Sequence, residues 1–462
     1  MKSKTYMPLL TLIIQLLLFA TSCKQTTEPK LEAELKLELE DVSCTEAWIK
    51  LTTTNLQLPA TMNLLQDGNL SETISLLSAD TLLYVDSLLP NKTYKFQATI
   101  QLYLPKAGIQ PFNHSGFPAE GRHSSNELTV TTMDTTSHDF TWQSWEFGQH
   151  SSSTLYDVAI IDENNIWAVG EIYMLDSLGN PDPNAYNAVH WDGTKWELKR
   201  IYFYTFCGQQ SMGSYPAKSI FAFGPNDIWI GMDGSQVVRW NGQSQSEPIC
   251  TPVSINKLWG SSSEDLYAVG NNGNIAHWDG VKWTKIESGT DVDLLDVWGS
   301  VGETIWACGY NSSYALTVLL RYVGKNSNKV YEGSPNNQNN NEYIGPISGV
   351  WSNSKFFTYV ASWGKIYRQP DSNILNIKRV TPNFSDVAFT IRGTAHNNIF
   401  ISGQHSLIGH FNGVTYKEIT ELKNQDRYLL KIDTKNKLLV AVGYSYYGIV
   451  GSTAVIYIIN II

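Results

Sequence analysis

Apolar positions in this chain fall in short runs, often alternating with polar ones, and Gly, Asn, Asp and Pro separate the runs. That pattern predicts strands and turns, because side chains alternate across a strand with period two. Between residues 31 and 135 the strand-like runs are Leu31 to Leu39, Ala47 to Leu51, Leu82 to Val85, Tyr94 to Leu104 and Glu127 to Thr132. Short strands so spaced predict a β-sandwich. A different run comes first. Met7 to Ala20 is apolar except at Thr11 and Gln15, follows Lys2 and Lys4, and is followed by Thr21 and Ser22. It is too short to span a bilayer as a stable helix, so it reads as a secretory signal over residues 1–22.

From about residue 139 to 462 two phrases recur. The first is a strand ending in Gly: Ile166-Trp167-Ala168-Val169-Gly170, Ile228-Trp229-Ile230-Gly231, Leu266-Tyr267-Ala268-Val269-Gly270, Ile305-Trp306-Ala307-Cys308-Gly309, Ile399-Phe400-Ile401-Ser402-Gly403 and Leu439-Val440-Ala441-Val442-Gly443, with a degenerate copy at Thr358 to Ala361. The second is a hairpin, as in His190-Trp191-Asp192-Gly193, Arg239-Trp240-Asn241-Gly242, His277-Trp278-Asp279-Gly280 and His410-Phe411-Asn412-Gly413. Asp-Gly and Asn-Gly between strands make tight turns. An upstream strand, such as Leu258-Trp259-Gly260 or Val297-Trp298-Gly299, completes each unit. Four strands at a period of about 40 residues are the mark of a β-propeller, here with seven units. The last copy, ending near Tyr457, lacks one strand, and Phe140 to Trp145 with Trp142 supplies it, so 139–462 is expected to close as a ring. The expected fold is all-β, a sandwich followed by a seven-bladed propeller.

Three resemblances add to this. Ala20-Thr21-Ser22-Cys23 resembles a bacterial lipobox, which implies cleavage before Cys23 and acylation of that residue. Residues 23–30 would then be a lipid-anchored tether, and the partner would be the lipid bilayer. Leu88-Leu89-Pro90-Asn91-Lys92-Thr93-Tyr94 resembles the fibronectin type III pattern, which implies a corner role for Tyr94 and a buried Trp48 in an immunoglobulin-like sandwich. Its long F–G loop, with Phe112, His114, Phe117 and Arg122, would be exposed. The repeats are similar to BNR/Asp-box propellers of the sialidase-like kind. Asp192 to Trp196 and Asp279 to Trp283 are four apart where that box has five, so the likeness is to propellers generally and implies no sialidase chemistry. Asp-Ser/Thr-apolar triplets, including Asp134-Thr135-Thr136, resemble the O-glycosylation acceptor of Bacteroidetes.

Charge then narrows the function. With 33 Lys+Arg against 43 Asp+Glu the net charge is -10, and no basic block offers a footing for nucleic acid. There is no nucleophile elbow, no zinc-binding His-Glu-x-x-His, no phosphate loop and no EF-hand spacing, so no metal or cofactor is expected. Export permits disulfides, and Cys207 with Cys250 is the pair to test; Cys308 lies in a strand and reads as core.

His190, His277 and His410 occupy one repeated position with Arg239, Arg321 and Arg368, so they cannot converge on one site. They are expected to bond an Asp or Asn of the neighbouring turn. Non-repeated aromatics in the loops are the better binding candidates: Tyr173, Tyr186, Tyr204, Tyr310, Tyr314, Trp363, Tyr444 and Tyr446. Such a surface suits a carbohydrate or an envelope protein. The expected role is a non-catalytic recognition module on an outer-membrane lipoprotein of the cell envelope, facing the surface or the periplasm. The alternatives are a scaffold for outer-membrane protein assembly and a propeller glycan hydrolase or lyase.

Overall fold

The computed structural model describes residues 32–102, 121–299, 304–311, 313, 315–323, 326–334, 345–370, 377–448 and 451–462. Cys23, the signal, the tether, Tyr314 and Phe112, His114 and Phe117 lie outside the described residues. Strands dominate, and among the described residues no helix is long and apolar enough to cross a membrane. The chain forms two compact units. The smaller takes the residues up to Glu40 with Ala47–Val85 and Thr93–Thr131; the larger takes Asp41–Glu46, Asp86–Lys92 and Thr132–Ile462.

The smaller unit has two sheets. One orders Glu34–Val42, Ala47–Thr54 and Asp80–Val85; the other orders Asn69–Leu76, Ala60–Gln66, Thr93–Leu102 and Gly121–Ser124, with Leu128–Thr131 also on Thr93–Leu102. Alternation decides which side faces in: Leu35 and Leu37 are buried while Glu34, Lys36 and Glu38 are exposed. Asp67 and Gly68 both have positive φ, 51° and 81°, in the two-residue turn that joins Ala60–Gln66 to Asn69–Leu76. Turns of that hand match the twist of the strands they connect. Trp48 and Tyr94 are buried.

The larger unit contains seven four-stranded antiparallel sheets among the described residues, six of them consecutive in the chain. Their first strands are Thr154–Asp162, Ala217–Gly224, Lys257–Ser262, Leu294–Gly299, Ile347–Trp351 and Ala388–Ala395. The seventh sheet orders Arg427–Lys435, Leu438–Tyr446, Ser452–Ile461 and then Phe140–Phe147. Each first strand packs against those of its neighbours, and Arg427–Lys435 meets Thr154–Asp162, so the array closes around a central channel.

Cores lie between successive sheets. Ile166, Val189, Val440 and Ile456 fill the gap between seventh and first, and Trp167, Phe203, Ile220 and Ile228 the next one. Strands buried on both faces read as continuous apolar runs, which is why the repeats look as they do. The strand-ending Gly has a steric cause. A Cβ on Gly270 would lie 1.9 Å from the Ser254 carbonyl oxygen, and one on Gly443 would lie 1.8 Å from that of Tyr428. Trp142 lies in the strand that completes the seventh sheet and is 38% exposed, because that strand is the outer edge of its sheet. Trp145 on the same strand packs 5.3 Å from Trp191 and 6.0 Å from Trp196.

Candidate functional site

Antiparallel order places the loops between second and third strands at the same end of the ring as the links between sheets. The loop aromatics fall at this end, but local partners hold several of them. Glu171 accepts hydroxyl hydrogen bonds from Tyr156 at 2.6 Å and Tyr173 at 3.0 Å. Burial, reinforced by Glu171, pushes both phenols up. The Arg200 guanidinium lies 3.8 Å over the Tyr186 ring and pairs with Asp182 at 2.5 Å. Tyr204 donates to Glu247 at 2.9 Å. Nearby, Cys207 and Cys250 form a disulfide with Cα atoms 6.0 Å apart, inside the range such bridges need.

The rest form two clusters. Tyr310 meets Trp363 edge-on at 5.9 Å. Tyr444 lies parallel to Tyr428 at 5.2 Å, and Tyr446 stands edge-on to both at 5.0 and 5.7 Å. The sequence-derived aromatics are therefore dispersed, not gathered in one pocket. Besides Leu316 of the fourth sheet, the apolar side chains exposed at this end among the described residues include an arc: Leu175, Leu178, Tyr202, Phe206, Met212, Tyr446 and Tyr447. These belong to loops of the seventh, first and second sheets, which are neighbours in the ring. Tyr447 donates to the Ser151 carbonyl at 2.8 Å, tying two of those loops together.

Four of the repeated His/Arg positions are struts to an Asp or Asn as expected, whereas Arg368 departs from the expectation and pairs with the buried Glu46 carboxylate. His190 bonds Asn165 at 3.0 Å, Arg239 bonds Asp227 at 2.6 Å, His277 bonds Asp265 at 2.7 Å and His410 bonds Asn398 at 3.1 Å. His410 also stacks on Phe400 at 4.5 Å, and its Nδ1 is 2.9 Å from Nδ1 of His138. Asn398 Oδ1 can only accept, so His410 carries its proton on Nε2 and takes one from His138 at Nδ1. Burial, with His138 beside it, pushes the His410 imidazole down to about 3.

The channel holds charges that sequence reading passed over. Asp157 of the first sheet accepts from Lys257 Nζ of the third at 2.6 Å, from Ser219 Oγ at 2.7 Å and from the Ile220 amide at 2.9 Å. Asp296 of the fourth accepts a two-pronged bond from Arg392 of the sixth at 2.7 and 2.8 Å, with Lys431 of the seventh 3.7 Å away. Asp157, Lys257, Asp296 and Arg392 are all buried. Burial would raise the Asp296 carboxyl, but Arg392 and Lys431 outweigh it and hold it at about 2. Burial drives Lys257 down against the pull of Asp157. Among the described residues Asp433 accepts from the amides of Ile160 at 2.7 Å and Thr434 at 2.9 Å, and burial raises it. Asp157 and Asp296 thus pair across the channel and stitch non-adjacent sheets, whereas Asp433 ties the seventh sheet to its neighbour, the first. A signal did exist: single charges inside apolar inner-strand runs, as in Leu294-Leu295-Asp296-Val297 and Leu429-Leu430-Lys431-Ile432-Asp433.

Among the described residues no group of three His, Cys, Asp or Glu side chains could hold a metal. No protein-family model matches the chain, and no curated protein matches it. Solved structures do. The chain is similar to YCF48 bound to D1 peptide, at 15% identity and a TM-score of 0.50, over 71% of this chain and 97% of that one. It is also similar to the WD40 β-propeller domain of Doa1, at 9% identity and a TM-score of 0.51, over 70% and 97%. At such identity the likeness is one of fold: the chain contains a β-propeller.

Proposed function

We propose that this chain is a cell-envelope lipoprotein whose fibronectin type III-like sandwich accompanies a seven-bladed propeller, and that the loop end of the propeller grips a partner protein. The observation that carries the reading is the exposed arc of Tyr202, Phe206, Tyr446 and Tyr447 over three neighbouring sheets. Large aromatics exposed together, with few charges, supply the anchors that protein interfaces use. The solved propeller YCF48, similar in fold, is described with a bound peptide, which supports a protein partner over a sugar. The lipobox-like Ala20 to Cys23 supports the anchor and an outer-membrane location.

A photo-crosslinking residue at Phe206 or Tyr446 tests the reading. Val281, 83% exposed on a hairpin at the opposite end, is the control. Specific adducts with an envelope protein are expected from the first two positions and not from the third. Equal labelling from all three, or glycan-array binding with no protein adduct, would refute it. The anchor is tested by Cys23→Ala, which should release the protein from membranes; unchanged fractionation would refute lipidation.

A further inference from the structure

The inner strands carry a repeat of their own. One residue in each stands opposite the second-strand aromatic: Phe221 opposite Trp229, Trp259 opposite Tyr267, Trp298 opposite Trp306 and Trp351 opposite Tyr359. In the other three sheets that position is Ala159, Arg392 or Asp433. Four sheets thus place a ring where their neighbours place a methyl group or a charge. Packing does not require the charges, since aromatics serve elsewhere, and burying a charge is costly even when it is paired.

The three departures fall in consecutive sheets, and they border one cavity of about 150 Å³ in the channel. Lys257, Arg392, Asp433 and Lys435 line its polar side, and Phe221 and Trp298 its apolar side. The polar side is rich in donors. Lys257 gives two N–H groups to Asp157 and keeps a third. Arg392 gives one N–H each from Nη1 and Nη2 to Asp296 and a second from Nη1 to the Ile391 carbonyl at 2.7 Å, which leaves Nε and one Nη2 hydrogen. Lys435, exposed at the mouth, uses one N–H on the Ile161 carbonyl at 2.7 Å. Among the described residues no cation lies within ion-pair distance of Asp433. Behind the lining, Asp157 and Asp296 pair with Lys257 and Arg392, and Lys431 lies 3.7 Å from Asp296.

A site with spare N–H donors on Lys257, Arg392 and Lys435 and an aromatic wall fits a monoanion with a short apolar tail. At about 150 Å³ the space is small and suits a short free acid. We propose that this cavity binds a small aliphatic monocarboxylate, acetate to butyrate in size, its carboxylate toward Lys257, Arg392 and Lys435 and its tail against Phe221 and Trp298.

Calorimetric titration of the full chain with acetate, propionate and butyrate tests this. Phosphate, methylammonium and a tripeptide with a free C-terminus are the comparison probes. Saturable one-site binding of at least one of the acids is expected. Ala159→Phe, which restores the ring that four sheets carry, should fill the cavity and weaken binding by about tenfold or more. Lys435→Gln, at the mouth and outside the core, should weaken it without lowering the melting temperature. The proposal is overturned if no acid binds saturably, if a comparison probe binds more tightly, or if Lys435→Gln binds the acid as wild type does. None of these variants touches the loop end, so the outcome is independent of the partner-protein reading.

Discussion

Lowering the pH should loosen the propeller through His410. This imidazole is buried, stacked on Phe400, bonded to Asn398 through Nε2 and joined to His138 through Nδ1. Its second nitrogen already accepts, so a second proton would set two N–H groups against each other. In the fold its pKa lies at about 3, against about 6.5 in an unfolded chain. The folded value is the lower one, so the unfolded state binds the proton first. Stability is therefore full above about pH 6.5 and is lost as pH falls from there toward 3. At pH 5 the loss from this one group is about 2 kcal/mol by linkage. That figure is insensitive to the folded value, because any pKa below about 4 leaves the group almost unprotonated in the fold at pH 5. Urea unfolding at pH 7 and pH 5, followed by tryptophan fluorescence, should show wild type losing about 2 kcal/mol more than His410→Gln. Glutamine keeps a donor for Asn398 and an acceptor for His138 but does not titrate. Equal losses in the two proteins would refute the reasoning.

Other perturbations follow from the same structure. Arg392→Leu strips Asp296 of its two-pronged partner and leaves it buried with only the more distant Lys431, 3.7 Å away, and should cost about 3 kcal/mol, while Arg392→Met with Asp296→Leu should recover most of it; urea midpoints of the three proteins decide. Cys207→Ser with Cys250→Ser opens a loop with a sequence separation of 43, so up to about 4 kcal/mol should be lost; a melting temperature indifferent to reductant would refute that. Gly270→Ala drives a Cβ against the Ser254 carbonyl and should cost about 2 kcal/mol or more, read from the same midpoints.

Some of this architecture was legible from residue order and some was not, and the division has a physical basis. Strands buried on both faces must be apolar throughout, and their tight turns need Asp or Asn before Gly, so phrases such as Ile166 to Gly170 and Trp191 to Gly193 stand out. Glycines that let strand ends approach a carbonyl are equally visible. The loop aromatics were harder. Nothing local to Tyr204 announces that Glu247, 43 positions away, takes its hydroxyl, or that Arg200 lies over Tyr186. The channel charges were hardest. A charge inside an apolar run marks Asp433 and Arg392 as unusual, but only strand pairing puts them at the position Trp298 and Trp351 occupy elsewhere. Trp142 shows the converse: an aromatic in a strand pattern need not be buried when the strand is an outer edge.

The seventh sheet has a consequence for how the chain reaches its fold. Its outer strand, Phe140–Phe147, leaves the ribosome about 300 residues before the strand it pairs with, Ser452–Ile461. Glu146 and Thr453 touch although 307 positions separate them. During elongation Phe140–Phe147 therefore has no pairing strand of its own, and the loop to be closed spans the whole ring. Contacts of that range pay their loop-closure entropy before they reward it, so ring closure is the natural slow step of folding. Until it occurs, the strand is an open edge, able to pair with another chain in a crowded compartment. Nascent and truncated forms of this protein are thus the ones at risk of aggregation, and a factor that shields Phe140–Phe147 would serve the fold before any partner meets its finished surface.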